Sequence, residues 1–170
     1  MLRKPNAPAD EPTIVIGPML EGEAEDISKL FRQIVSDLAY YNDVAKKSEI
    51  AKYSPELLRA SVAETPSSVL VAREGRIPVG FCFNKDDDGL VWLAWFGVHP
   101  SYRRQGIGLE LLRELEQVAR DRSSHKIWCD CRTENAASKV ALSNYGYVAL
   151  CTVRNHWYGQ DFILWEKSVA

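Results

Sequence analysis

Long hydrophobic runs are missing from this sequence. The longest nearly continuous apolar stretch, Leu90 to Val98, falls well short of the about 20 residues a helix needs to cross a bilayer, so no membrane partner is expected. An excess of one charge is missing too. Lys and Arg number 21 against 23 Asp and Glu, for a net charge of -2; without a broad positive field, no nucleic-acid partner is expected. Cysteines are few. Cys82, Cys129, Cys131 and Cys151 sit inside apolar, strand-like segments and read as reduced core thiols. Cys129 and Cys131 share a strand face, but a zinc site would need a second ligand pair at matching spacing, so no metal is expected. At the start, two positive charges in Met1-Leu2-Arg3-Lys4-Pro5 have no apolar stretch behind them, and the short polar segment from Asn6 is interrupted by Pro8 and Pro12. Residues 1–12 therefore read as a flexible tail rather than a signal peptide, and the expected compartment is the cytoplasm.

What is present is an ordinary globular composition, 46% hydrophobic and 26% charged, with neither repeats nor an obvious linker, so residues 13–170 read as one domain. Thr13 to Ile16 is a β-branched run. Ile27, Leu30, Phe31, Ile34, Val35 and Leu38 recur three or four apart and predict a helix ending near Tyr40-Tyr41-Asn42. Ser54 as N-cap and Pro55 behind it predict a second. Ser68 to Arg73, Pro78 to Phe83 and Leu90 to Val98 come next as strands of an antiparallel meander, turned at Glu74-Gly75 and at the acidic loop Asp86-Asp87-Asp88-Gly89. From Ile107 the period changes: Leu111, Leu112, Leu115, Val118 and Ala119 line one side of an amphipathic helix. Strand, helix and two strands complete the order β-α-α-β-β-β-α-β-α-β-β, an α/β (α+β mixed) sheet whose βαβ unit makes the Leu90 and Lys126 strands parallel.

The chemistry concentrates in His99-Pro100-Ser101-Tyr102-Arg103-Arg104-Gln105-Gly106-Ile107-Gly108. Gly106 and Gly108 let the backbone approach a ligand closely, and the amphipathic helix directs its free N–H groups back into the loop. Those donors, the positive helix end and two arginines suit a diphosphate. No Gly-Lys-Ser/Thr comes after the glycines, so this is not a P-loop, and the third glycine of a dinucleotide fingerprint is absent.

Arg103-x-x-Gly106-x-Gly108, behind Val98-x-Pro100 and ahead of a Leu-rich helix, resembles the acetyl-CoA signature of the GNAT superfamily of N-acetyltransferases. Arg132-Thr133-Glu134-Asn135-Ala136-Ala137-Ser138, with Tyr145-Gly146-Tyr147 beyond, is similar to that family's Asn-containing helix and Gly-aromatic pair. The resemblance implies a GNAT-like fold with acetyl-CoA as cosubstrate. It implies that the amides of Arg104, Gln105, Gly106, Ile107, Gly108 and Leu109 hold the pyrophosphate beside Arg103. It further implies that the backbone of Phe96, Gly97 and Val98 pairs with the pantetheine arm, and that Asn135 and Ser138 line its channel. The acceptor it implies is a primary amine on a protein N-terminus, a lysine or a small molecule. The alternative is an acetyl-CoA sensor or scaffold. Oligomeric state is left open, a homodimer included.

Acetyl transfer to an amine needs a base to take the ammonium proton. Trp128-Cys129-Asp130-Cys131-Arg132 resembles the Leu-Glu-Val-Arg segment of ribosomal-protein N-terminal acetyltransferases, which makes Asp130 the candidate base, with an exposed or paired strand aspartate as the other reading. Many family members carry an acid tyrosine where this chain has Leu142; Tyr145 is the candidate substitute, with a core aromatic as the other reading. Asn155 to Phe162 resembles a segment that borders the acceptor site in those enzymes, which implies Trp157 and Tyr158 as one wall, with a hairpin packed on its own sheet as the other reading, and Tyr40, Tyr41 and Asn42 as the opposite wall. Trp92 and Trp95 are expected in the core.

Overall fold

A computed structural model describes residues 13–169; the tail expected over residues 1–12 lies outside the described residues. Its elements are β1 (Ile14–Pro18), α1 (Ala24–Ser36), α2 (Asp43–Lys52), α3 (Pro55–Glu64), β2 (Val69–Glu74), β3 (Ile77–Asp87), β4 (Leu90–Val98), α4 (Ile107–Asp121), β5 (Lys126–Arg132), α5 (Ala136–Asn144), β6 (Val148–Val153) and β7 (Phe162–Ser168). The strands form one sheet in the order β1-β2-β3-β4-β5-β7-β6. The meander is antiparallel and the β4–β5 pair parallel, as the βαβ pattern requires. No described helix is long and apolar enough to cross a membrane.

Two apolar layers hold the sheet. Leu111, Leu112 and Leu115 on α4 are fully buried against Val91 and Leu93 of β4 and Ile127 and Cys129 of β5. On the other face, Ile27, Phe31 and Val35 of α1 pack on Phe81 and Phe83 of β3. Each such side chain contributes about 1.5–3 kcal/mol when fully buried.

Four expectations need correction. Among the described residues three α-helices, not two, precede β2. Asn42 does not end the first helical region: its Oδ1 accepts the Ala45 N–H at 2.9 Å and caps α2. α2 escaped the periodicity test because its apolar residues form no stripe, and only Ala45 and Glu49 on it are buried. The acidic loop is shorter than expected, since β3 runs through Asp87. Asp86 pairs with Arg122 at 2.9 Å, and the turn is left to Asp88 and Gly89. Cys151 is exposed rather than core, because β6 is an edge strand with little covering either face. Trp92 and Trp95 are only partly buried and face a cleft.

Candidate active site

The cleft opens where β4 and β5 part. Their pairing is confined to Val91–Ile127, Trp92–Trp128 and Leu93–Cys129. At that point the β3–β4 register shifts, because Phe83 faces Trp95 while Asn84 faces Leu93, leaving Ala94 as an extra residue. Such a bulge bends the strand that carries it. β4 swings away and its Ala94–Val98 edge is left without a strand partner on the β5 side, while β5 stays paired with β7 to Arg132. The result is a cleft of about 1200 Å³ that reaches both faces of the sheet.

On the α4 side stands the glycine loop. Gly106 is the N-cap of α4 at φ 82°, and Arg104 is also left-handed at φ 60°. A Cβ on Gly106 would meet nothing within 4 Å, so the space beside it is open. Among the described residues, the amides of Arg104 to Gly108 have no hydrogen-bond acceptor; the first bonded ones are Leu109 and Glu110, both to the Gly106 carbonyl. Five consecutive free amides at a helix N-terminus fit a pyrophosphate. Phe96, Gly97, Val98, Arg103, Arg104, Gly106, Ile107, Gly108, Leu109, Asn135 and Ser138 all line the cleft. The Gln105 side chain does not; its Nε2 donates to the Ser101 carbonyl at 3.4 Å. Arg103 Nε donates to the Val98 carbonyl at 3.1 Å, which ties the loop to the end of β4. Asn135 is the N-cap of α5: Oδ1 accepts the Ser138 N–H at 3.0 Å and Nδ2 donates to Ser138 Oγ at 2.8 Å.

On the α1–α2 side stands Asp130. Successive β5 residues alternate faces, so while Cys129 and Cys131 enter the α4 core, Asp130 projects into the other half of the cleft. Burial pushes its carboxyl up to about 6 from an ordinary 3.8, against the Trp157 hydrogen bond and the His156 charge, which favour the ionised form. Trp157 Nε1 donates to Asp130 Oδ2 at 2.7 Å. Tyr40 and Tyr41 line the facing wall; burial raises the Tyr40 hydroxyl to about 12, and burial with the nearby Asp130 charge raises that of Tyr41. Asn42 stands behind this wall, where its Nδ2 donates to the Tyr158 carbonyl at 3.1 Å.

Glu49 was not anticipated. It lies on α2, is 8% exposed, and accepts from Trp95 Nε1 at 2.9 Å, Lys52 Nζ at 2.7 Å and Tyr158 Oη at 2.5 Å. It thereby joins α2 to β4 and to the turn before β7. The available signal was Asn42 as a cap ahead of a run of Ala, Lys and Glu, all compatible with helix.

Tyr145 is placed away from the cleft. As C-cap of α5 it turns toward α4 and β7, where the Lys167 ammonium lies 3.5 Å from its ring centre. Burial and the adjacent Glu116 carboxylate raise its hydroxyl. The helix end does not bend into the site, so Tyr145 does not reach the cleft as an acid, and Leu142, 1% exposed, brings no proton to the cleft wall.

A family model described as the acetyltransferase (GNAT) family matches residues 33–147. A search of curated proteins finds no match. Among solved structures, an acetyltransferase of the GNAT family from Streptococcus pneumoniae superimposes with a TM-score of 0.79 at 15% identity, covering 93% of this chain and 100% of that one. The PaiA N-acetyltransferase from Thermoplasma acidophilum, in complex with coenzyme A, gives 0.77 at 22% identity, over 92% and 99%. The ribosomal-protein-S18-alanine N-acetyltransferase from Escherichia coli gives 0.69 at 16% identity, over 93% and 95%. At these identities the likeness establishes the fold.

Proposed function

The chain belongs to the acetyltransferase (GNAT) family, and from that premise we propose that it moves an acetyl group from acetyl-CoA to a primary amine, with both substrates bound at once. The observation that carries this reading is a single cleft with unlike halves: free backbone amides on the α4 side and a desolvated carboxylate on the other. When bound, acetyl-CoA supplies a thioester carbon open to attack by nitrogen. The amides of Arg104 to Gly108 bind its pyrophosphate, and the unpaired β4 edge from Ala94 to Val98 takes the pantetheine arm as an added strand takes its neighbour. Asn135 and Ser138, already bonded to one another, form a preorganised polar wall beside it.

Asp130 takes the proton from the acceptor ammonium. A base whose pKa is lifted to about 6 is ionised at neutral pH yet a far better proton acceptor than a solvated aspartate. Tyr40, Tyr41, Trp157 and Tyr158 wall the acceptor half, and these rings exclude water from the nitrogen once it is neutral. The acceptor, in this reading, is a protein N-terminus, a lysine or a small amine.

The burial of Leu142 at the usual tyrosine position favours the second reading, a coenzyme sensor with little turnover. Thiol release measured with a panel of amines separates the two: turnover above background supports the enzyme, and none with any acceptor supports the sensor. Gly106→Trp is expected to abolish coenzyme binding, because the side chain fills the open space at the amides and strains a backbone at φ 82°. Unchanged affinity by calorimetry would remove the loop from the coenzyme site.

A further inference from the structure

Among the described residues the Asp130 carboxylate accepts one hydrogen bond, from the Trp157 indole. Trp157 packs on little besides the neighbouring His156 ring, whose centre lies 4.3 Å away. It is 51% exposed, and it stands on a short turn between β6 and β7 in which Asn155 (φ 49°) and Tyr158 (φ 57°) are left-handed. That turn is held from outside: Tyr158 Oη donates to Glu49, Asn42 Nδ2 to the Tyr158 carbonyl, and Gln160 Nε2 to the Tyr40 carbonyl at 3.0 Å. Two left-handed residues and bonds to Tyr40, Asn42, Ser48, Glu49 and Lys52 across the cleft mouth hold an indole whose one polar atom meets the carboxylate at 2.7 Å. A group restrained this heavily and buried this little is held for its N–H.

We infer that Trp157 is a positioning residue for Asp130, fixing one carboxylate oxygen so that the other is presented to the acceptor amine and kept ionised to lower pH. The inference rests on Asp130 as the base. The charged and titratable groups around Asp130 are few. The His156 imidazole beside Trp157 favours the ionised carboxylate and Glu49 on α2 disfavours it, while Tyr41 stands on the facing wall. Leu164, its cross-strand neighbour on β7, is apolar, and Cys129 and Cys131 lie on the far face of β5.

The test is the pH profile of kcat/KM for the wild type, Trp157→Phe, and a protein carrying benzothienylalanine at 157, which keeps the ring outline and lacks the N–H. Losing a hydrogen bond to the charged form should move the acidic limb up by about one pH unit in both variants, a roughly tenfold loss at pH 5 beyond whatever loss remains above pH 8. A uniform loss at every pH with the limb in place would make Trp157 a packing residue and overturn the inference. In the free protein, the indole N–H resonance of Trp157 should titrate with a midpoint near 6. The titration should persist in His156→Asn and disappear in Asp130→Asn; survival in Asp130→Asn would assign it to another group and overturn the inference. An inactive Asp130→Asn enzyme with an unmoved limb in Trp157→Phe sinks the positioning role alone. A fully active Asp130→Asn enzyme sinks the base assignment and the positioning role with it.

Discussion

Asp130→Asn should make the protein slower and more stable at once. The folded carboxyl titrates at about 6 against an ordinary 3.8, so the folded state binds this proton more tightly than the unfolded chain does. Its contribution to stability is therefore fully present below about pH 4 and is lost as the pH rises through 6. At about 1.4 kcal/mol per pH unit the loss is at most about 3 kcal/mol, and nearer to 2 kcal/mol after screening at the cleft mouth. Asparagine has the same outline, can still accept from Trp157, and does not titrate. Relative to wild type, the variant should gain about 1.3 kcal/mol between pH 4.5 and pH 8, which is a rise of roughly 3–5 °C in melting temperature for a chain of this size. Over the same range, kcat/KM should fall by about a hundredfold or more at pH 7, the usual worth of a positioned base. It should fall less near pH 10, where the acceptor amine loses its proton to solvent. Thermal melts at the two pH values and steady-state thiol release provide both readings. A stability difference that does not change with pH would refute the desolvated carboxylate.

Gly97→Ala should destabilise by about 1–3 kcal/mol, since its Cβ would lie 2.8 Å from Phe81 Cζ in a packed core, and denaturant melts will check it. Glu49→Gln keeps the shape but removes the charge on which Trp95, Lys52 and Tyr158 converge. It should cost about 1–3 kcal/mol and raise KM for the acceptor with coenzyme affinity unchanged, as read by melts and by calorimetry.

Much of this architecture was legible in one dimension. The stripe of Leu111, Leu112 and Leu115 announces a helix on a sheet, and the change of period around it announces the parallel pair. Gly106 and Gly108 mark the turn at the head of that helix, because backbone geometry depends mainly on local residue choice. Where the sequence misled, the deciding contact was distant. α2 has no apolar stripe and is held by a glutamate that meets partners up to 109 positions away. Cys151 lies in a strand that looks like its buried counterparts, yet the sheet order puts that strand on the edge. Tyr145 sits near the right place in the chain, but the end of α5 turns it toward Glu116 and Lys167.

The same division runs through the chemistry. Periodicity, capping residues and glycine placement determined by themselves which segments form the sheet, the long helix and the glycine turn at its head, since each acts over a few neighbouring residues. Only the folded chain decided that β4 leaves β5 at Ala94, that Asp130 is desolvated, and that Trp157 and Glu49 meet across the cleft mouth through Tyr158. Desolvation and charge depend on everything within several ångströms of a group, whatever its position along the chain.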